Sequence, residues 1–246
     1  AVVANQSVLI GTFEYEEEEA SSLEIGLKTG LLDGAAELNL ALFYTQYEDL
    51  QISIFDGTLV FNVGNAKEAV TKGIEMDGRW QLTDYFSLGG ALAVMDFEFT
   101  DFENGQCRQD QAPTSSNGVN CDYTGMSNQY VADWSGTFLM GYVRPISETL
   151  GIGLGLDFVF TDKYNPSSNL DPRVEQNGFV KVNGRIGIGA IDKHWELALV
   201  GKNLTDEVII VYAADTPLSK TIFGATSHTG FLEPPRSIAM QFTYRM

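Results

Sequence analysis

The chain has 246 residues, of which 33 are Asp or Glu and 15 are Lys or Arg, so its formal net charge at pH 7 is −18. Nucleic-acid binding depends on Lys and Arg that neutralise phosphates, and this acidic balance makes nucleic acid a poor partner. The hydrophobic fraction of 44%, with 15 Phe and 10 Tyr, is too high for a disordered acidic chain.

Strand periodicity recurs from one end of the chain to the other. The stretch "TKGIEMDGRWQL" (71–82) alternates apolar residues with Glu75, Asp77, Arg79 and Gln81, as successive side chains of a strand do. Similar alternation runs through 37–44, 86–94, 151–160 and 237–245. No long stretch shows helical periodicity, and no run reaches the roughly 18 apolar residues of a membrane-spanning helix. The sequence predicts an all-β protein of about nine strands between Glu19 and Met246.

The predicted connections between strands differ in length in a regular way. Short turns are expected at 29–34, 82–86, 144–149 and 191–195, and longer polar stretches at 55–66, 100–130, 162–177 and 213–234. Outer-membrane barrels have short turns at one rim and long loops at the other. The pattern therefore favours an antiparallel transmembrane β-barrel.

The second face of the predicted strands supports the same interpretation. It mixes Gly, Ala, Ser, Asn and charged residues, which suits a wet or plugged lumen, while the bulky apolar face suits lipid. Bacterial single-chain barrels normally have an even number of strands, so about nine strands predict part of a larger barrel. Residues 1–18 are predicted to be the end of an extracellular loop, and 19–246 the C-terminal part of the barrel.

Five segments, in the expected order, resemble the C-terminal barrel of TonB-dependent receptors. They are "EEEASSLEIGLKTGLLDG" (Glu19, Glu24, Gly26, Lys28), "LNLALFYTQYEDLQ" (Phe43, Tyr44, Tyr47, Asp49, Gln51), "NVGNAKEAVTKGIEMDG" (Asn62, Gly64, Ala66, Gly73, Glu75), "GKNLTDEVI" (Asn203, Leu204, Asp206) and "EPPRSIAMQFTYRM" (Pro235, Arg236). Together they extend over nearly the whole chain.

The resemblance implies a bacterial outer-membrane receptor, not an enzyme, that imports a scarce ligand such as a siderophore, cobalamin or an oligosaccharide. It implies a barrel of about 22 strands around a plug. The chain would be the distal portion of a longer or split protein, with the plug and the upstream strands supplied outside it. Implied partners are outer-membrane lipid, lipopolysaccharide and, through the plug, the TonB complex. The long loops would face the cell exterior.

Cys107 and Cys121 are the two cysteines of the chain and lie in its longest predicted loop. A disulfide is expected, because a cell-surface loop is in an oxidising environment. A zinc site is not expected there, since two cysteines without a nearby His do not make a four-ligand set.

The acidic run that includes Glu16, Glu17, Glu18 and Glu19 is a candidate cation site, because clustered carboxylates are hard oxygen ligands. The alternative is a solvated rim loop, or a surface bridged to lipopolysaccharide phosphates through divalent ions.

Ligand recognition is expected from aromatic and polar side chains of the loops and the upper lumen. The candidates are Tyr47, Tyr123, Tyr130, Tyr164, Tyr212 and His228. The alternative for each is loop packing or a place in the aromatic girdle. No nucleophile, base and orienting group occur in a pattern that supports catalysis. No cofactor is expected, although a transported ligand can itself carry a metal.

Two other classes of protein share part of this pattern. A passive porin or adhesin-like barrel would need charged eyelet residues and an even strand count within one chain. A soluble, secreted β-sandwich that binds carbohydrate would bury the apolar face of "TKGIEMDGRWQL" in a core and would be extracted without detergent.

Overall fold

The computed structural model describes residues 15–55 and 61–245. Its elements are β1 (Glu19–Leu31), β2 (Ala36–Phe55), β3 (Phe61–Gln81), β4 (Phe86–Asp101), β5 (Trp134–Pro145), β6 (Leu150–Thr161), β7 (Phe179–Ala190), β8 (Trp195–Lys202), β9 (Ile210–Asp215), α1 (Ser219–Phe223), β10 (His228–Leu232) and β11 (Ser237–Tyr244). Short 3₁₀ turns occupy Leu32–Gly34 and Pro172–Val174. None of the helices in this part of the chain has the length and apolar character needed to cross a membrane.

Nine strands form one sheet in the order β1-β2-β3-β4-β5-β6-β7-β8-β11, and each pairs antiparallel with its neighbours. Strands β9 and β10 form a separate hairpin within the connection from β8 to β11. The predicted number of sheet strands is therefore confirmed. Among the described residues, β1 and β11 each have one neighbour in this sheet, so the nine strands are an open piece of barrel wall.

The two faces of the sheet differ as the alternation predicts. Leu40 and Met76 are opposite one another on β2 and β3, and they are 37% and 41% exposed. On the other face of the same strands, the Asn39 Nδ2 donates to Asp77 Oδ2 at 3.0 Å, and Arg79 Nε donates to Glu37 Oε2 at 2.8 Å. Large apolar side chains left exposed in rows are typical of the lipid-facing side of a barrel.

Short turns join the strands at one rim. Two of them are closed by hydroxyl groups that accept hydrogen bonds from backbone N–H groups. Thr83 Oγ1 accepts from Phe86 N–H at 3.1 Å, and Ser147 Oγ accepts from Leu150 N–H at 3.1 Å. The turn before β2 places Gly34 at φ 89°, a conformation that glycine adopts without steric cost. Local sequence therefore specifies this rim.

Two of the longer connections differ from the prediction. Of the predicted connection 55–66, residues 56–60 lie outside the described part of the chain, and Phe55 and 61–66 are strand. The reason is that β2 and β3 continue to pair beyond the region of strongest alternation, with Ile52 opposite Gly64 and Leu50 opposite Ala66. Asn65 supports this extension, since its Nδ2 donates to the Asp49 carbonyl at 2.5 Å. The stretch 213–234, predicted as a loop, contains the end of β9, α1 and β10.

A cluster of buried apolar residues lies where β3 and β4 meet the connection that follows β4. It consists of Ala66, Ala69, Phe99, Phe102, Cys121 and Tyr123. The rings of Phe102 and Tyr123 meet edge to face with centroids 5.5 Å apart. This cluster anchors the long connections to the sheet.

Candidate functional site

Three long connections meet at the rim opposite the short turns. We call residues 102–133, 162–178 and 203–236 together the loop cap. Hydrogen bonds join all three connections: the Gln109 backbone N–H donates to Asp215 Oδ2 at 2.9 Å, Ser168 Oγ donates to Gln106 Oε1 at 3.1 Å, and His228 Nε2 lies 2.9 Å from Asp171 Oδ2. The loop cap is therefore a packed structure and not a set of independent loops.

The predicted disulfide between Cys107 and Cys121 is present. The two residues are 14 positions apart, and their Cα atoms are 5.1 Å apart. Cys121 is fully buried in the apolar cluster, and its backbone N–H donates to the Gly105 carbonyl at 2.9 Å. The bridge fixes the first connection of the loop cap on the sheet.

Two of the candidate ligand residues, Tyr123 and Tyr47, lie at the base of the loop cap. Tyr123 is 4% exposed, and its hydroxyl donates to the Gln106 carbonyl. Burial raises the pKa of this hydroxyl, which keeps it a neutral donor. Tyr47 is half-buried against the same apolar cluster. Both rings stabilise the base of the loop cap.

Tyr130, Tyr164 and Tyr212 lie together around β9. The Tyr130 hydroxyl donates to the Val211 carbonyl at 3.0 Å, and the Tyr164 hydroxyl donates to the Ile210 carbonyl at 3.2 Å. The Tyr130 and Tyr164 ring centroids are 6.2 Å apart, and burial raises the pKa of both hydroxyls. Tyr130 remains 47% exposed. This aromatic group has both a fixed orientation and free ring surface.

His228 begins β10 and faces two buried carboxylates that the sequence did not indicate. Its Nε2 is 2.9 Å from Asp171 Oδ2 and 3.4 Å from Asp215 Oδ1. Asp171 is fully buried and Asp215 is 5% exposed. His228 and Asp171 are 57 residues apart in sequence, so no local spacing could have revealed the cluster.

Arg173 supplies the positive charge next to Asp171. Its Nη2 is 2.6 Å from Asp171 Oδ2, and its Nη1 is 2.7 Å from Asp110 Oδ2. Burial by itself would raise the pKa of Asp171, but hydrogen bonds from the Arg173 side chain and backbone and from His228 outweigh burial and hold that pKa well below its usual range. Asp171 is therefore ionised at neutral pH.

The acidic run that leads into β1 is exposed and hydrogen-bonds to residues of β2 and β3. Glu18 Oε2 accepts from the Gln51 N–H at 2.9 Å, and the Glu16 backbone N–H donates to Asn65 Oδ1 at 3.0 Å. Within 15–55 and 61–245, the group whose donor atoms approach closely enough to share an ion is Asp171, Asp215 and His228. A cation site at Glu16–Glu19 stays a prediction.

The inner face of the sheet forms a concave surface beneath the loop cap. A cavity of about 990 Å³ there is lined by Arg79, Asp157, Lys181, Asn183, Arg185 and Glu233, among others. Cations and carboxylates pair on this surface: Arg185 with Glu196 at 2.5 Å, and Lys181 with Glu233 of the last long connection at 2.7 Å. The wall thus presents polar and charged groups to whatever occupies the lumen.

Comparisons with known proteins agree with this architecture. The pattern of the family described as "TonB dependent receptor-like, beta-barrel" matches residues 2–204. A curated relative, a probable TonB-dependent siderophore receptor named PiuA from Acinetobacter baumannii, is 27% identical over 195 residues, which are 77% of this chain and 23% of PiuA. The chain therefore spans about a quarter of the length of that relative.

Solved structures share the fold. The ferric yersiniabactin uptake receptor FyuA from Yersinia pestis superposes with a TM-score of 0.68 at 16% identity, covering 92% of this chain and 29% of FyuA. The siderophore receptor PiuA from Acinetobacter baumannii gives 0.65 at 21% identity, covering 92% of this chain and 28% of PiuA. The nine-stranded wall, the length asymmetry of its connections and the family match lead to one conclusion: this chain belongs to the TonB-dependent receptor-like β-barrel family.

Proposed function

We propose that this chain is part of the barrel wall, the external loops and the ligand vestibule of an outer-membrane receptor that binds a ferric siderophore and imports it with energy delivered through TonB. The observation that carries the proposal is the family match over residues 2–204 together with relatives named as siderophore receptors. The proposal favours a siderophore over cobalamin or an oligosaccharide because of those relatives.

The two rims support the orientation that we propose. The loop cap faces the cell exterior, the short turns face the periplasm, and the apolar face of the sheet contacts lipid. The assignment of 1–18 to the end of a further external loop stays a prediction, because residues 1–14 lie outside the described part of the chain, and we assign 19–246 to the C-terminal part of the barrel. The plug, the remaining strands and the contact with TonB belong to the rest of the receptor or to a separate chain. Lipopolysaccharide would surround the external rim.

Within the loop cap, the aromatic group of Tyr130, Tyr164 and Tyr212 is the best placed to contact a ligand. Aromatic rings offer flat apolar area, and their anchored hydroxyls limit the entropy lost on binding. Tyr130 has the exposure that such a contact needs.

Growth of the bacterium under iron restriction tests the proposal. A strain that lacks the full-length receptor should lose growth on one ferric siderophore, and the wild-type gene should restore it only when TonB is present. Restoration without TonB would instead identify a passive barrel. Unchanged growth on every siderophore supplied would overturn the siderophore assignment.

A pair of tyrosine variants tests the vestibule. Tyr130→Ala should weaken siderophore binding to the intact receptor by about tenfold, in the range found for single aromatic contacts. Tyr85→Ala is the matched control, because Tyr85 is 42% exposed at the short-turn rim, stacked beneath Arg144. Equal binding by both variants would remove Tyr130 from the ligand site.

A further inference from the structure

The cluster of Asp171, Asp215 and His228 is not explained by the proposed transport function. Asp171 and its neighbours lie in the second connection of the loop cap, while Asp215 ends β9 and His228 begins β10 in the third. The candidate donor atoms of the three side chains all lie within 4.8 Å of one another. The cluster therefore joins two connections that are far apart in sequence.

Hydrogen bonding within the described residues leaves one buried carboxylate oxygen of this cluster without a partner. Asp215 Oδ2 accepts from the Gln109 N–H at 2.9 Å and from Asn169 Nδ2 at 3.0 Å. Asp215 Oδ1 is buried, accepts no hydrogen bond among the described residues and faces His228 Nε2. A buried carboxylate oxygen without a donor is costly, so this atom needs an explanation.

The imidazole alone does not satisfy both carboxylates. A proton on Nε2 points toward one acceptor, and the shorter separation of 2.9 Å assigns it to Asp171 Oδ2. Asp215 Oδ1, at 3.4 Å from the same nitrogen, then has no donor directed at it. Asp171 forms an ion pair with the guanidinium of Arg173. Within the described residues, Asp215 forms an ion pair with His228 alone. A cation between the three donor atoms would satisfy them together.

We propose that Asp171, Asp215 and His228 bind a divalent transition-metal ion of the Zn²⁺ class, which ties the second and third connections of the loop cap together. The donor set is one imidazole nitrogen and two carboxylate oxygens, which suits Zn²⁺ better than Ca²⁺, since Ca²⁺ takes six to eight oxygen ligands. Donor atoms of a tetrahedral zinc lie about 3.3–3.6 Å apart. The observed Nε2–Oδ1 separation of 3.4 Å fits that value, and the Nε2–Oδ2 separation of 2.9 Å would lengthen by a few tenths of an ångström.

Groups around the cluster already hold its two carboxylates in place. Arg173 donates to Asp171 through Nε and Nη2, and Asn169 and the Gln109 backbone donate to Asp215. Such outer contacts orient the ligands of protein metal sites. His228 has 24% of its side chain exposed, which gives the ion a route from solvent and leaves the fourth position to water. An ion bound here is therefore exchangeable. Because the Gln109 backbone N–H donates to Asp215, the ion also reinforces the first connection of the loop cap.

Metal binding by the intact receptor tests the site without reference to transport. The full-length protein, purified in detergent and stripped with a chelator, is titrated with ZnCl₂ and, separately, with CaCl₂. We expect about one equivalent of Zn²⁺ to bind, and Zn²⁺ to slow proteolysis of the loop cap. His228→Gln and Asp215→Asn should each weaken Zn²⁺ binding by at least tenfold.

His194→Gln is the matched control, because His194 lies in a short turn and its Nδ1 is 2.9 Å from Asp192 Oδ2. This variant should bind Zn²⁺ as the wild type does. Heat-modifiable migration in gels verifies that each variant barrel is assembled. The proposal is overturned if the wild type binds no Zn²⁺, if binding is unchanged in both site variants, or if Ca²⁺ binds with equal affinity. Siderophore uptake is measured separately, so a failure here leaves the transport proposal standing.

Discussion

The barrel wall and the loop cap of this chain are stabilised in different ways. In the wall, each strand pairs with the next one along the chain, except where β8 pairs with β11, and large apolar side chains such as Leu40 and Met76 stay exposed. In the loop cap, residues more than 50 positions apart meet, and the buried groups include Asp171, Asn169 and Asp215. The wall depends on the surrounding lipid and the cap on its own polar contacts, so substitutions should affect the two regions by different mechanisms.

The largest expected effect is a charge on the apolar face of the wall. Leu40→Arg should destabilise the barrel by up to about 2–4 kcal/mol, because Leu40 is on the exposed apolar face of β2 and Arg there would face lipid. Asn39→Arg is the matched control, since Asn39 is the adjacent residue on the inner face and contacts Asp77. Heat-modifiable migration and urea unfolding in detergent micelles or vesicles measure both. Similar losses for the two variants would contradict the assignment of the faces.

The wall could be predicted from sequence because its determinants are local. Alternation in 71–82 assigned the two faces of β3, and hydroxyl residues such as Thr83 and Ser147 mark the turns that they close. The continuation of the two strands at Phe55 and 61–66 was missed, because a longer connection was predicted at 55–66. It depends on pairing between the two strands and on Asn65, whose side chain bonds the Asp49 carbonyl, and alternation does not report such contacts.

The next largest effect is expected from removal of the disulfide, and it should be confined to the loop cap. Replacing Cys107 and Cys121 together by Ser removes a cross-link over 14 positions, which should cost the first connection about 3 kcal/mol of stability. Proteolytic cleavage between 102 and 133 should become faster, while the urea midpoint of the wall stays within error. A matching shift of the wall would show that the two regions unfold as one unit.

The contacts of Arg173 should have a smaller effect. Arg173→Lys keeps the charge but loses the planar fork that bonds Asp171 and Asp110 at the same time, so the cap should lose a modest part of its stability, because the Arg173 side chain is partly exposed and solvent weakens its ion pairs. Arg144→Lys, at the short-turn rim over Tyr85, is the control and should change little. Protection of cap amides from hydrogen exchange measures both variants. Equal protection in both would mean that the Arg173 fork adds no stability.

The loop cap contains the residues that the sequence did not indicate. Cys107 and Cys121 could be paired because no other cysteine competes, and His228 was selected as a polar loop residue. Asp171 and Asp215 were not selected, because the chain has 33 Asp and Glu residues and nothing in the local sequence distinguishes these two from solvated carboxylates. Nothing in the local sequence singled out Arg173 either. The burial of the two carboxylates follows from the packing of three connections, which depends on the whole tertiary structure.

The smallest expected effect is a pH dependence within the cap. Hydrogen bonds from the backbone N–H and the side chain of Thr124 lower the pKa of Asp122 below its ordinary value near 3.8. Because the folded pKa is lower than the unfolded one, the unfolded cap binds the proton more readily, so this contact stabilises the cap above about pH 4 and is lost as the pH falls through the folded pKa. Hydrogen exchange of the 121–126 segment, corrected for intrinsic rates, should show less protection at pH 3 than at pH 5. Asp122→Asn should remove that difference and give, at every pH, protection close to the lower level that the wild type reaches when Asp122 is protonated, because a neutral amide oxygen accepts from the Thr124 N–H less strongly than a carboxylate does; a pH response that persists in the variant would assign it to another carboxylate of the cap.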